Sequence, residues 1–79
     1  MGVEVYLSSI LRASVPGYKP EAGLVLEPWT PGTVRDVALG LSLPVEAVKI
    51  ALVNGRRVKL DAPVSDGDRV SLFPAIGGG

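Results

Sequence analysis

The sequence predicts an α+β domain in which one main helix packs across one face of a mixed sheet. Three observations carry this. Apolar residues alternate with polar ones at both ends of the chain, at Val3, Val5 and Leu7 and again at Val70 and Leu72. Between them the period changes once, with Val34, Val37, Ala38 and Leu41 at i, i+3, i+4 and i+7, one stripe of a helix. Strands and helix therefore segregate along the chain instead of alternating, the order expected of an α+β fold.

The first strand is the alternation of Val3, Val5 and Leu7 with Glu4, Tyr6 and Ser8, the pattern of a half-buried surface. Ile10-Leu11-Arg12 fits either a continuation of that strand or a short helical turn. Val15-Pro16-Gly17 and Lys19-Pro20-Glu21-Ala22-Gly23 form a loop dense in breakers. Leu24 to Glu27 is the second strand, stopped by Pro28 and Pro31, so the first two strands read as a hairpin with a long connection. Thr33 followed by Asp36 predicts the helix start: the hydroxyl accepts from exposed amides and the acid faces the positive end of the helix. Gly40 and Pro44 mark its stop, and Pro44 to Val48 adds a further turn with proline at its first position.

Lys49 to Asn54 is the third strand and ends in the turn dipeptide Asn54-Gly55. Arg57 to Leu60 returns from it as a short strand. Asp61-Ala62-Pro63-Val64 is read as a bend, Ser65-Asp66-Gly67-Asp68 as a tight turn, and Arg69 to Phe73 as the last strand. The expected sheet has four to five strands, within a domain spanning residues 1–74. Residues 75–79 are expected to form a flexible glycine tail.

Composition narrows the chemistry. At 79 residues the chain makes one domain, and a fold of this size buries only about 60–65% of its unfolded surface, leaving little room for a substrate cavity beside a core. A 47% hydrophobic and 20% charged content is that of a globular chain. Eight basic residues balance eight acidic ones, so no global field draws the protein to nucleic acid or anionic lipid. There is no cysteine and no histidine, which removes the thiolate nucleophile, the commonest general base and the commonest metal ligands. An enzyme built from this inventory would need a carboxylate pair or an activated lysine, so the chain reads as a non-enzyme without a metal site. No apolar run approaches the ~18 residues of a membrane helix. Met1 to Leu11 lacks a basic targeting region, and Tyr6 stands where myristoylation needs a hydroxyl residue. A cytoplasmic protein is expected.

Several residues invite chemistry and are better explained by structure. Arg56-Arg57-Val58-Lys59 reads as a solvated hairpin tip, since one basic turn among balanced charges is a weak RNA footprint. Trp29 and Tyr18 lie in loops and are expected to cover the core edge. Asp61, Asp66 and Asp68 lack the full loop that calcium binding requires. Two features instead suggest a binding surface. If Val70 and Leu72 face the core, Arg69, Ser71 and Phe73 face the other way. Lys49 to Val53 is apolar on both faces, Ile50 and Leu52 opposite Ala51 and Val53, so one of those pairs is left as an exposed patch.

The tail is the remaining signal. Gly77-Gly78-Gly79 follow closely on Phe73-Pro74 without a polar spacer. About six extended residues reach up to ~20 Å, and glycines carry nothing to obstruct a narrow channel. The sequence here resembles the small MoaD/ThiS-like sulfur carriers of the ubiquitin-like, β-grasp group. The likeness runs through Leu11-Arg12, Pro31-Gly32-Thr33-Val34, Val53-Asn54-Gly55, Leu60-Asp61-Ala62-Pro63-Val64, Asp66-Gly67-Asp68-Arg69-Val70 and Phe73 to Gly79, nearly the whole chain. Pro74-Ala75 replaces the Pro-Pro of some members, a mild departure.

The resemblance implies a β-grasp fold and a role as sulfur carrier. A partner enzyme would adenylate the Gly79 carboxylate of the Gly78-Gly79 pair with ATP, and a sulfur donor would convert it to a thiocarboxylate. Phe73, Pro74, Ile76 and Gly77 would meet the partner, and no cofactor would be tightly bound by the carrier itself. The implied partners are a ubiquitin-activating-type adenylating enzyme and a sulfur acceptor such as the large subunit of molybdopterin synthase. Molybdenum or tungsten pterin synthesis is the implied pathway. A thiamine-pathway carrier, a modifier conjugated to lysines and a pure interaction domain of the same fold are the alternatives.

Overall fold

The computed structural model describes residues 2–19, 21–29 and 32–74. Among them the chain forms β1 (Val3–Leu7), a 3₁₀ segment (Ser9–Ser14), β2 (Leu24–Leu26), β3 (Gly32–Thr33), α1 (Val34–Gly40) and a second 3₁₀ turn (Val45–Ala47). It continues through β4 (Ile50–Val53), β5 (Arg56–Val58), β6 (Pro63–Val64) and β7 (Arg69–Phe73). Five strands pair in the order β2-β1-β7-β4-β5, and β3 with β6 makes a separate two-stranded ribbon. The central pair β1–β7 is parallel, in register Val5 with Val70 and Leu7 with Leu72, whereas the outer pairs are antiparallel. This is the mixed five-stranded sheet and single helix of the β-grasp fold.

Alternation decides the layers. Val3, Val5 and Leu7 of β1 and Val70 and Leu72 of β7 turn to one side and are buried. They meet Val34, Val37 and Ala38 of α1, all fully buried. Leu11, Leu43, Val48, Ala51 and Val64 close the same cluster. Tyr18 and Trp29 pack against its rim, each spending its polar atom on a backbone end. The Tyr18 hydroxyl accepts from the Leu7 N–H at 2.8 Å and donates to the Leu7 carbonyl at 3.3 Å, at a point on β1 beyond its pairing with β2. Trp29 Nε1–H donates to the Val64 carbonyl at 2.9 Å.

The helix start is as expected and more complete. Asp36 N–H donates to Thr33 Oγ1 at 3.3 Å while Thr33 N–H donates to Asp36 Oδ2 at 2.8 Å, a reciprocal capping box. The amides of Val34 and Arg35 donate to the carbonyls of Ala62 and Leu60, so the loop over the helix start satisfies its first donors.

One open reading is decided, the helix end is as expected, and three local expectations are corrected. Ile10-Leu11-Arg12 belongs to the 3₁₀ segment, which buries Leu11 and lets Arg12 Nε donate to the Leu7 carbonyl at 3.2 Å. The helix ends at Gly40, and beyond it Ser42, with φ of 59°, takes the left-handed position. There Ser42 N–H donates to the Leu39 carbonyl and Leu43 N–H to the Ala38 carbonyl, a Schellman motif sealed by buried Leu43. Pro44 precedes the second 3₁₀ turn instead of opening it. The return strand is Arg56–Val58, and the supposed bend contains β6, which pairs Val64 with Gly32 and Pro63 with Thr33. A two-residue strand beginning in proline has too few residues to show a period.

Candidate functional site

The face of the sheet turned away from α1 is assembled by register. Phe73 stands opposite Ile50, Ser71 between Leu52 and Tyr6, Arg69 opposite Glu4, and Glu4 opposite Val25. Cross-strand partners share a face, so Val25, Tyr6, Phe73, Ile50 and Leu52 form one apolar band that takes no part in the core cluster. Val25 is 56% exposed, and the other four are half-buried. The sequence left open which pair of β4 would be uncovered. Ala51 is buried and Val53 packs on the core, so it is Ile50 and Leu52. Tyr6 was not singled out in the sequence, although its position between Val5 and Leu7 places it on the same face.

The band is polar at one end and apolar at the other. At the polar end Arg69 Nε lies 3.3 Å from Glu4 Oε1, and its guanidinium lies 5.2 Å from the Tyr6 ring centroid. Both partners are exposed, so the pair contributes little stability and mainly holds the arginine flat on the sheet. At the apolar end stand Phe73 and Ile50. There Ser8 N–H donates to the Leu72 carbonyl at 3.2 Å and Lys49 N–H to the Phe73 carbonyl at 2.9 Å. The end of β7 is thus held from both neighbouring strands up to the residue before Pro74.

Phe73 is half-buried on the open face, at the foot of the segment that leads to the glycines. Pro74 is buried, so of these two residues Phe73 offers the side-chain surface. Ile76, Gly77, Gly78 and Gly79 lie outside the described residues.

The carboxylate of Asp68 has a structural task. Asp68 accepts from the Ser65 N–H at 2.8 Å and from Asn54 Nδ2 at 2.9 Å, and these bonds hold its pKa below the ordinary 3.8. Asn54 Oδ1 in turn accepts from the Arg69 N–H at 2.9 Å. The Asn54-Gly55 turn, with φ of 53° and 83°, is thereby tied to the turn before β7. Beside the helix, Leu26, Trp29, Gly32 and Asp36 line a groove of about 310 Å³, where Asp36 is already committed to the cap. Among the described residues no three acidic side chains converge as metal ligands would. No helix among them is long and apolar enough to cross a membrane.

Comparison with known proteins agrees with this geometry. No curated protein matches the chain. The model of the ThiS family matches residues 18–79, which takes in the long loop, α1, the β4–β5 hairpin, β7 and the glycines. Members of that family are small sulfur carriers rather than catalysts, and they act with adenylating enzymes and sulfur acceptor enzymes. With the β-grasp sheet, its uncovered apolar face and a match over most of its length, the chain belongs to the ThiS family.

Proposed function

We propose that this protein carries sulfur on its own C-terminus, in the synthesis of a molybdenum or tungsten pterin cofactor. The Gly79 carboxylate attacks the α-phosphorus of ATP held by a separate adenylating enzyme, releasing pyrophosphate and forming an acyl-adenylate. Hydrosulfide supplied by a sulfur donor then attacks the acyl carbon, AMP leaves with release of a proton, and the terminus becomes a thiocarboxylate. The sequence of events suits a chain without cysteine. A carboxylate is a poor electrophile until it gains a leaving group, and sulfur held on the backbone terminus needs no thiol side chain. ATP belongs to the partner, and the carrier supplies the docking face around Phe73, with Ile76, Gly77 and Gly78 threading the partner's channel.

The observation that supports this reading most is the family match through Gly78-Gly79, on a fold whose uncovered apolar face lies beside the end of β7. The preference for the pterin pathway rests on the Phe73-Pro74 ending and the overall resemblance.

The test is formation of acyl-adenylate and then thiocarboxylate with the cognate adenylating enzyme, ATP and a sulfur source, followed by intact mass. Appending one residue after Gly79 or deleting Gly79 moves the reactive group by up to ~3.6 Å, and a misplacement of ~1 Å can already cost ~100-fold in rate. Gly78→Val adds a branched side chain to the threading segment. All three variants are expected to lose at least about 100-fold in activation while their folded cores remain. Activation of all three at the parent's rate removes the tail from the mechanism. Discharge of the thiocarboxylate to the large subunit of molybdopterin synthase supports the pterin pathway, and discharge only to a thiamine-pathway acceptor reassigns it.

A further inference from the structure

The edge of the sheet opposite β2 is β5, and it carries a groove that the carrier reading does not use. Lys49, Arg57 and Lys59, three of the chain's eight cationic residues, border a cavity of about 450 Å³ whose apolar lining includes Val48, Val58 and Leu60. No carboxylate lines it, and all three cations are exposed. Lys49 comes from the segment before β4, whereas Arg57 and Lys59 flank Val58 on the edge strand and beyond it.

The backbone of this edge is also free. A two-residue turn makes Val53 and Arg56 the closing hydrogen-bonded pair of the β4–β5 hairpin, so by alternation Leu52 and Arg57 form a non-hydrogen-bonded pair. Arg57 then points its N–H and C=O away from β4. Among the described residues no hydrogen bond takes up either group.

We infer that the β5 edge binds an extended acidic segment of a partner protein, which adds as a sixth strand. Such a segment alternating acidic and apolar residues would bond the backbone of Arg57. It would set its carboxylates against Arg57 and Lys59 and its apolar side chains against Val58 and Leu60. Nucleic acid fits less well, because three cations on a chain of zero net charge are a small phosphate footprint and no aromatic residue lines the groove for base stacking. Cations on an edge strand can simply discourage edge-to-edge pairing. That role accounts for Arg57 and Lys59 but not for Lys49, which borders the same cavity from outside the edge strand. Because the groove uses no residue of the tail, the inference stands or falls independently of the chemistry there.

The experiment is a titration of the ¹⁵N-labelled full chain, followed by amide shifts, with an acetylated and amidated (Glu-Val)₄ peptide. Controls are the (Lys-Val)₄ peptide, inorganic phosphate and oligouridylate. The expected result is saturable shifts centred on Arg57 and Lys59 with the acidic peptide alone, weakening several-fold as salt rises from about 0.05 to about 0.5 M. Arg57→Glu with Lys59→Glu is expected to weaken binding at least tenfold. If that pair unfolds the chain, Arg57→Gln with Lys59→Gln serves the same purpose. Absence of shifts at β5, shifts confined to the open sheet face, or tighter binding of phosphate or oligouridylate at the same amides overturns the inference. So does self-association of the variants without peptide binding by the parent, which would leave the cations a purely protective role.

Discussion

At the scale of single residues, Phe73 separates folding from recognition. Its neighbours Val70 and Leu72 are fully buried in the core, whereas Phe73 is half-buried on the opposite face against Ile50. A core phenylalanine typically costs ~3–5 kcal/mol on truncation. A cross-strand contact on an open face is worth ~0.2–1 kcal/mol, to which partial burial adds a little. Phe73→Ala is therefore expected to lower stability by no more than about 1–2 kcal/mol in denaturant titration. If the open face docks the adenylating enzyme, the same variant should raise the KM for the carrier by about tenfold with kcat nearly unchanged, as loss of an aromatic anchor does. A stability loss in the core range with KM intact would assign Phe73 to folding alone. Tyr18 illustrates the converse. It is an aromatic residue in a loop whose hydroxyl serves both backbone groups of Leu7, and its work is structural.

At the scale of elements, the long strands and the helix start were legible because they repeat. Val3 to Leu7, Arg69 to Phe73 and the Val34, Val37, Ala38 stripe each give several residues of one period, and Thr33 with Asp36 is a local signature complete in four residues. What escaped was short or non-local. The β3–β6 ribbon has two residues per strand, and the parallel pairing of β1 with β7 leaves no trace in either segment alone. The helix end at Gly40 was legible, but not the residue that takes the left-handed position after it, which is Ser42 instead of a glycine. That arrangement predicts a gain. A serine at φ 59° carries a steric cost that glycine does not. Ser42→Gly is expected to stabilise the fold by about 0.5–1 kcal/mol, less what glycine loses in unfolded-chain entropy. Thermal unfolding measures it, and a lowered Tm would show that the serine side chain contributes something the Schellman geometry does not require.

At the scale of the whole molecule, the start of the central strand β7 is tied to the β4–β5 hairpin by turns and not by ion pairs. Asp68 joins the turn before β7 to the turn between β4 and β5 through Ser65 and Asn54. Its folded pKa lies below the ordinary 3.8, so the folded state favours the ionised form. That contribution is fully present above the ordinary value and is lost as pH falls through the depressed one. The parent is expected to be more stable than Asp68→Asn at pH 7. The difference should hold down to about pH 5 and shrink as pH falls through about 4 and below. Urea titrations of both proteins at neutral and acid pH check this, and a difference that stays constant or widens in acid would exclude Asp68 as a source of acid lability. Of the candidate site, the sequence made the parity of β7 and the glycines legible. The side of β4 left uncovered depended on where α1 packs, which is settled only in three dimensions.

The parallel pairing at the centre of the sheet also has a kinetic meaning. Glu4 and Arg69 meet across 65 positions of chain, so the pair that organises the core is among the most remote in sequence. On logarithmic loop scaling, closing such a span costs roughly 4 kcal/mol before any contact repays it. The two hairpins are expected to form early, each within its own stretch of chain, and β7 to enter between β1 and β4 late. The strand that enters late is the one that bears Phe73 and leads to the glycines. An incompletely folded chain therefore has the terminal glycines without the face that presents them. In the carrier reading, charging by the activating enzyme doubles as a check that folding has finished.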